Sequence, residues 1–341
     1  SAVNINTLQV KRVLICRPNH RLGNLLLITP LIQEISVTFP DCKIDLFVKG
    51  NLAPILFKNY ENIDAIIQLP KRPFPNLWKY FKSWISIKKR QYDIVIDADK
   101  RSSSGKLSVR LANSKFKITG DIIEYLQLKF NDYGHHAKYP VYNFRHYLTE
   151  YGLNKNDSRI PSLNLKLNFL EIADGKRLLN QLVQNHRKTI CLFTYATGDK
   201  CYNESWWKEF YQRLQVEYPH FNIIEVLPIQ NVSKLSFKAP SFYSKDIREI
   251  GSLIANTDVF VGADSGIMHL ADSVQAPTVG LFSVTEPNLY RPYGNNSVAI
   301  NTNHNGIDQL IEIISNLLQY KFIYQPDLRI IDWSVNEGTP H

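Results

Sequence analysis

Residues 257–294 constrain the fold more than any other stretch, because they place a polar turn between an apolar strand and an amphipathic helix. Residues 259–261 are β-branched or aromatic and predict a short buried strand. Apolar residues then recur at helical spacing over 267–274, and residues 277–282 predict a second strand. A strand, a helix and a further strand in this order are typical of an open α/β sheet with parallel strands.

The turn at Asp264, Ser265 and Gly266 is a candidate anion site. The predicted helix begins near Ser265, and its first backbone N–H groups and its dipole attract negative charge. Ser265 and Gly266 are small enough for a diphosphate to approach the backbone. The alternative is that Asp264 only caps the helix and that His269 is a core histidine.

Short apolar runs alternate with amphipathic segments in two series, which predicts two doubly wound domains. The 341 residues exceed one ordinary core. Residues 154–168 are polar and lack a clear period, so we expect a linker there. We therefore place an N-terminal Rossmann-like domain at 1–160 and a C-terminal one at 161–341, with the last helix and tail packing back on the first domain. The predicted strands are 13–16, 44–48, 65–69, 94–97, 189–193, 222–226, 259–261 and 278–282, and the predicted helices are 24–39, 76–89, 204–218, 247–255, 265–274 and 307–320.

Composition predicts a cytoplasmic globular protein. Apolar residues make up 44% of the chain, no apolar run is long enough to span a membrane, and the start lacks the pattern of a signal peptide. The four cysteines show no metal or disulfide spacing.

Charge is distributed unevenly. Residues 1–160 hold 25 Lys and Arg against 13 Asp and Glu, whereas the remainder holds 15 against 18. The first domain is therefore expected to face an anionic glycolipid, a membrane surface or nucleic acid, and the absence of nucleic-acid recognition motifs disfavours the last. A generally basic solvated surface is the alternative.

The first predicted strand also ends in a polar loop, RPNHRLGN at residues 17–24, which leads into an apolar-faced helix. Gly23 allows the tight turn at the start of that helix. The carboxyl ends of strands in open α/β sheets bind ligands. Two such loops, one in each domain, predict a ligand site in a cleft between the domains.

Two signatures carry a resemblance to a known family. The first is RPNHRLGN at 17–24 followed by TPL at 29–31, and the second is DSGIMHLA at 264–271 followed by APT at 276–278 and TEP at 285–287. In order and spacing they resemble glycosyltransferase family 9, the ADP-heptose:lipopolysaccharide heptosyltransferases and their relatives. The resemblance implies a GT-B fold of class α/β: two Rossmann-like doubly wound domains whose parallel sheets face each other across a cleft.

The resemblance also implies an inverting, metal-independent glycosyltransferase without a cofactor. The donor would be a nucleotide-diphosphate sugar, with an ADP link and heptose favoured. The acceptor would be an anionic glycan such as the lipopolysaccharide core, reached with peripheral contact to the inner membrane. No Gly-x-Gly-x-x-Gly motif, which would indicate a dehydrogenase, occurs in the sequence.

Most donor contacts implied by the resemblance lie in the second domain. Asp264 matches the aspartate that contacts donor sugar hydroxyls, and Lys200 is expected to meet a donor phosphate. A solvated loop lysine is the alternative for Lys200. The full set of donor-binding candidates is Gly23, Thr197, Lys200, Asp264, Ser265, Gly266, Ile267 and His269.

The catalytic base is where this chain departs from the family. Asn24 stands where the heptosyltransferases have the aspartate that deprotonates the acceptor, and an amide cannot take that proton. Asn24 could instead orient the acceptor or cap its helix. The remaining candidates for the base are Asp97, Asp99 and His20, with Asp97 alternatively only ending its strand. Arg21, Lys100 and Arg101 are candidates for binding an acceptor phosphate or carboxylate.

Two further segments admit two interpretations each. Residues 71–90 interleave aromatic residues with lysines, as interfacial helices do, but we favour a helix that packs its aromatics on the sheet and leaves its lysines in water.

His135 and His136 could ligate a metal, but without further ligands at suitable spacing we interpret them as an exposed loop.

Two other functions are compatible with the sequence. A nucleotide-sugar epimerase or hydrolase of similar shape would consume the donor without an acceptor. A non-enzymatic nucleotide-sugar-binding protein, suggested by Asn24, would bind the donor and never consume it.

Overall fold

Each of two units, Ser1–Leu163 and Asn164–His341, is built on its own all-parallel β-sheet. This computed structural model describes residues 9–152, 156–319 and 330–331. Central strands in both units are apolar on both faces, as parallel strands covered by helices on either side must be. The α/β class with two parallel sheets is confirmed.

The first sheet has the strand order β3-β2-β1-β4-β5. This is the order of a doubly wound sheet, in which the chain reverses direction between β1 and β4. Helices α4 and α5 pack on one face, where Leu14, Phe47, Tyr92 and Val95 form the core. The elements are β1 (Arg12–Arg17), α1 (Leu22–Leu26), α2 (Thr29–Thr38), β2 (Lys43–Lys49), α3 (Ala53–Leu56), β3 (Ile63–Leu69), α4 (Leu77–Lys89), β4 (Gln91–Asp97), α5 (Ser103–Leu111), β5 (Asn113–Ile118), α6 (Glu124–Lys129) and α7 (Tyr139–Glu150).

The second sheet has the order β12-β11-β10-β9-β6-β7-β8, so its reversal lies between β6 and β9. Helix α13 packs its apolar face on this sheet, and the tail that we expected to return to the first domain lies outside the described residues apart from β12. The elements are α8 (Phe169–Val183), β6 (Thr189–Phe193), α9 (Glu204–Glu217), β7 (Asn222–Val226), β8 (Ser241–Phe242), α10 (Ile247–Ile254), β9 (Val259–Ala263), α11 (Gly266–Ser273), β10 (Thr278–Phe282), α12 (Pro287–Tyr290), β11 (Val298–Asn301), α13 (Ile307–Gln319) and β12 (Ile330–Ile331).

The helix predicted over 24–39 is two helices, α1 and α2. Pro30 has no N–H to donate to the carbonyl of Leu26, and the hydroxyl of Thr29 donates to that carbonyl instead, at 2.7 Å. The helical ladder therefore breaks between the two helices. The interpretation of Asn24 as a helix cap is also wrong, because Arg21 occupies the N-cap of α1 and Asn24 lies inside the helix.

His135 and His136 are buried, so their interpretation as an exposed loop is wrong. They lie just before α7, whose first turn is itself buried. Nδ1 of His135 accepts a hydrogen bond from the backbone of Ala137 at 3.1 Å, and the His136 ring lies edge-on to Tyr139 with the centroids 6.2 Å apart. The pair is thus part of the packing of the first unit.

Gly280 in β10 lies where α11 crosses the sheet. A methyl group at this position would come within 2.8 Å of Sδ of Met268 and 2.9 Å of the Phe282 ring. Met268 is fully buried in the first turns of α11. The absence of a side chain at Gly280 therefore sets how closely α11 approaches the sheet.

Candidate functional site

The candidate donor residues of the second unit meet at the point where its sheet reverses direction. Lys200 ends a 3₁₀ turn (Gly198–Lys200) after β6, and Asp264 follows β9, the neighbouring parallel strand. The Lys200 ammonium donates to the Asp264 carboxylate at 2.9 Å. Asp264 is buried and Lys200 is partly exposed. Lys200 is therefore a partly solvated loop lysine that is also ion-paired at the carboxyl edge of the sheet.

The start of α11 presents backbone donors at the same place. Ser265 is the N-cap, and its hydroxyl accepts from the N–H of Met268 at 3.2 Å. Ser265, and not Asp264, therefore caps the helix. Gly266 and Ile267 are partly exposed, and their N–H groups precede the first intrahelical bond, so they can receive an anion.

His269 lies one turn further into α11 and is buried, as the core-histidine alternative requires. Its Nε2 is 3.9 Å from Oδ1 of Asp264. Burial lowers the pKa of His269 well below its ordinary value, while the charge of Asp264 opposes that shift. A neutral ring is therefore expected at neutral pH, able to hydrogen bond but not to supply charge.

Two neighbouring residues extend this cluster. Thr197, a predicted donor-binding residue, is exposed in the loop that carries Lys200. Tyr290, at the end of α12, has its ring centroid 6.4 Å from that of His269. Tyr290 was not among the predicted site residues, although its place shortly after the TEP motif that follows β10 is a usable signal.

In the first unit, the buried side chain of Arg17 joins the two loops at the sheet reversal. Its guanidinium donates to Oδ1 of Asn24 at 3.1 Å and to the backbone carbonyl of Ala98 at 2.7 Å. It also lies 3.7 Å from the carboxylate of Asp99. The loop after β1 and the loop after β4 are thus linked through one arginine. Arg17 belongs to the first signature, but no role was predicted for it from the sequence.

The two candidate carboxylates after β4 differ in exposure. Asp97 is 2% exposed, and its Oδ1 accepts from the backbone N–H of Asp99 at 3.0 Å. The side chain of Asp99 is 18% exposed and accepts from the backbone N–H of Arg101 at 3.1 Å. The buried Asp97 carboxylate therefore holds the backbone of the loop through its hydrogen bond to Asp99. The Asp99 carboxylate is the one that solvent reaches.

The pKa of Asp97 predicts a pH-dependent stability. Burial raises this pKa from 3.8 to about 7, since the backbone donor and Arg17 only partly offset desolvation. The folded state then binds the proton more tightly, so the free energy of unfolding should fall as pH rises from about 4 to about 7, by on the order of 4 kcal/mol. Asp97→Asn keeps a carbonyl acceptor and should flatten that slope in urea unfolding. Parallel pH profiles for the variant and the native chain would contradict the assignment.

The remaining candidates of the first unit are Lys100, His20, Arg21, Arg101 and Gly23. Lys100 donates its backbone N–H to the Tyr139 hydroxyl at 2.9 Å, and its ammonium lies 4.9 Å above that ring. Desolvation lowers the pKa of Lys100. Desolvation, followed by the charges of Lys71, Arg21 and Lys49, lowers the pKa of His20. Arg21, His20 and Arg101 are exposed, and Gly23 is buried within α1.

Within the residues that the structure describes, no group of three or more His, Cys, Asp or Glu side chains is arranged to hold a metal ion. None of the described helices has the length and apolar character needed to cross a bilayer.

Comparison with known proteins indicates the class of protein to which this chain is similar. The model of "Glycosyltransferase family 9 (heptosyltransferase)" matches residues 244–314, which contain the α11 turn. Lipopolysaccharide heptosyltransferase 3 of Escherichia coli is 23% identical over 309 residues, covering 81% of this chain and 85% of that protein.

Solved structures share the fold over nearly the whole chain. The crystal structure of a family 9 glycosyltransferase from Veillonella parvula aligns with a TM-score of 0.72 at 15% identity, covering 93% of this chain and 99% of the other. The E. coli heptosyltransferase WaaC with ADP aligns with a TM-score of 0.65 at 19% identity, covering 90% and 99%.

The fold and the matched motifs define a glycosyltransferase of the GT-B class. Within that class, the chain is heptosyltransferase-like and resembles family 9, which confirms the resemblance drawn from its two signatures.

Proposed function

We propose that this chain transfers heptose, with inversion, from an ADP-linked donor to a hydroxyl of an anionic lipopolysaccharide core or related glycan at the cytoplasmic face of the inner membrane. One observation carries the proposal: Lys200 pairs at 2.9 Å with Asp264, the residue directly before the N-cap of α11, whose first residues Gly266 and Ile267 are partly exposed. A cation and unpaired N–H groups at one point match the charge of a departing diphosphate.

The donor would bind as follows. The ammonium of Lys200 and the N–H groups of Gly266 and Ile267 contact the diphosphate, and Asp264 accepts from hydroxyls of the sugar. Thr197 and neutral His269 supply further hydrogen bonds. Because these groups neutralise the leaving phosphate, the transfer needs no bound metal, and it should persist in EDTA.

The acceptor would bind to the first unit. Arg21, Lys100 and Arg101 attract its negative groups, and Arg17 orients Asn24 and Asp99. The acceptor oxygen attacks the anomeric carbon of the sugar, the bond from that carbon to the diphosphate breaks, and the hydroxyl proton passes to Asp99. Asp97 and His20 are weaker choices for this base, since Asp97 is buried and His20 lies among the cations Lys71, Arg21 and Lys49.

A thermal-shift series tests the donor site. ADP at a hundredfold excess over its Kd should stabilise the native chain by about 2.7 kcal/mol, which amounts to several degrees in Tm. UDP and GDP at equal concentration should shift Tm less. Lys200→Met should lose most of the ADP shift, whereas Lys208→Met, an exposed lysine of α9, should keep it. An ADP shift that Lys200→Met retains in full would contradict the proposed site.

Incubation of the protein with ADP-heptose alone distinguishes a transferase from an epimerase or a hydrolase. A transferase consumes the donor at an appreciable rate only when the acceptor is added. Rapid release of ADP without an acceptor would support hydrolysis, and binding without consumption in either case would support a nucleotide-sugar-binding protein.

A further inference from the structure

Helix α4 carries two apolar faces. One face packs on the first sheet: Trp84 meets Phe47 with the ring centroids 5.1 Å apart, and Ile87 is buried. The hydroxyl of Ser83, on the same face, donates to the carbonyl of Gln68 at 3.0 Å. These contacts fix the rotation of the helix about its axis.

The opposite face exposes a second apolar stripe. Trp78, Phe81 and Ile85 follow one another at intervals of three and four residues, so they lie on one side of the helix. Phe74 lies in the 3₁₀ turn (Phe74–Asn76) that precedes α4 and is also exposed. Phe74 is 88% exposed and Trp78 is 78% exposed. We call these four residues the α4 stripe. The favoured interpretation from sequence, in which the aromatics pack on the sheet, is therefore wrong for the stripe and right for Trp84 and its neighbour Tyr80.

The charges around the α4 stripe have one sign. Residues 71–90 contain seven Lys and Arg and no Asp or Glu. Arg90 is paired with Asp45 at 2.9 Å. Exposed lysines flank the stripe, with Lys79 and Lys82 on one side and Lys88 on the other. An exposed apolar stripe bordered by cations is the arrangement of a helix that lies in a bilayer interface.

We infer that the α4 stripe docks the first unit on an anionic phospholipid membrane. Trp78, Phe81 and their neighbours enter the boundary between headgroups and acyl chains, and the lysines extend to lipid phosphates. A second copy of this chain is a poorer occupant, because pairing two stripes would bring two sets of lysines together.

The basic run that leads into α4 begins near one of the loops proposed to hold the acceptor. A methyl group placed on Gly50 would come within 2.9 Å of Cε of Lys71 and 3.3 Å of Cβ of His20. Lys71, at the start of the basic run, and His20, in the loop after β1, therefore both lie against Gly50. The idea that docking brings a membrane-borne acceptor to the site rests on the proposed function. Membrane binding by the α4 stripe does not.

Sedimentation with vesicles tests the inference. The native chain should bind vesicles of phosphatidylcholine with phosphatidylglycerol, and it should bind pure phosphatidylcholine far less. Trp78→Ser/Phe81→Ser should weaken binding to the anionic vesicles at least about tenfold. Lys79→Gln/Lys82→Gln should weaken it by about 25-fold, since each lysine contributes a factor of about five. The matched control Phe169→Ser/Leu170→Ser changes two exposed apolar residues of the second unit and should bind as the native chain does.

Several outcomes would overturn the inference. Failure of the native chain to bind anionic vesicles, or equal binding by the stripe variants, would remove it. A native dimer that Trp78→Ser/Phe81→Ser disperses would show instead that a second copy covers the stripe. Transfer to a soluble, lipid-free acceptor should be unchanged in the stripe variants, so a failure in vesicle binding and a failure of the proposed function remain distinguishable.

Discussion

Lys200→Met is expected to lower kcat for sugar transfer by about 10²- to 10³-fold, which is the usual cost of losing one group that stabilises developing negative charge. The side chain keeps its length and loses its cation, so the leaving diphosphate departs without the ammonium that now pairs with Asp264. Steady-state kinetics with saturating donor and acceptor measure this effect. Lys200→Arg should retain part of the activity, since it keeps the charge but not the compact shape.

A loss of fold must be separated from a loss of catalysis, because Lys200→Met leaves the buried Asp264 without its partner. The double variant Lys200→Met/Asp264→Asn removes both charges and should recover the melting temperature. It should not recover kcat. If Lys200→Met turns over at the native rate, the lysine has no role at the leaving group.

Asp99→Asn is expected to lower kcat by about 10²- to 10⁴-fold, the range typical of losing a general base. Asp97→Asn is the matched control, because it removes a carboxylate from the same loop while keeping an acceptor for the N–H of Asp99. The control should retain most of the native activity. Rates measured across pH, together with melting temperatures, separate the loss of a base from a change in folding.

Asn24→Asp sharpens the test. Its carboxylate would lie where Oδ1 of Asn24 now accepts from Arg17 at 3.1 Å. In the Asp99→Asn background, a strong recovery of kcat would show that position 24 can still serve the acceptor. Native activity in Asp99→Asn alone would place the base elsewhere.

Periodicity predicted most of the architecture. Strands at 189–193, 222–226 and 278–282 have the predicted bounds, because buried parallel strands are apolar runs between polar turns. β5 was missed, since four of the six residues in its sequence NSKFKI are polar, as the edge position of that strand permits. The α1–α2 break was missed although Pro30 signalled it.

Site residues were predictable where a motif fixes both a turn and its chemistry, as at Asp264 and Ser265. The partner of Lys200 was not, because the ion pair joins positions 64 residues apart that only the order of β6 and β9 brings together. The role of Arg17 was not predicted, for the same reason. The rotation of α4 could not be predicted, since aromatics on both faces give periodicity no single preferred side.

Gly280 shows how a substitution outside the proposed donor site could still impair that site. Alanine there would come within 2.8 Å of Sδ of Met268 and 2.9 Å of the Phe282 ring, so side chains in the contact between α11 and the sheet would have to shift. If Gly266 and Ile267 at the start of α11 bind the diphosphate as proposed, Gly280→Ala would weaken nucleotide affinity without changing any residue of the proposed site.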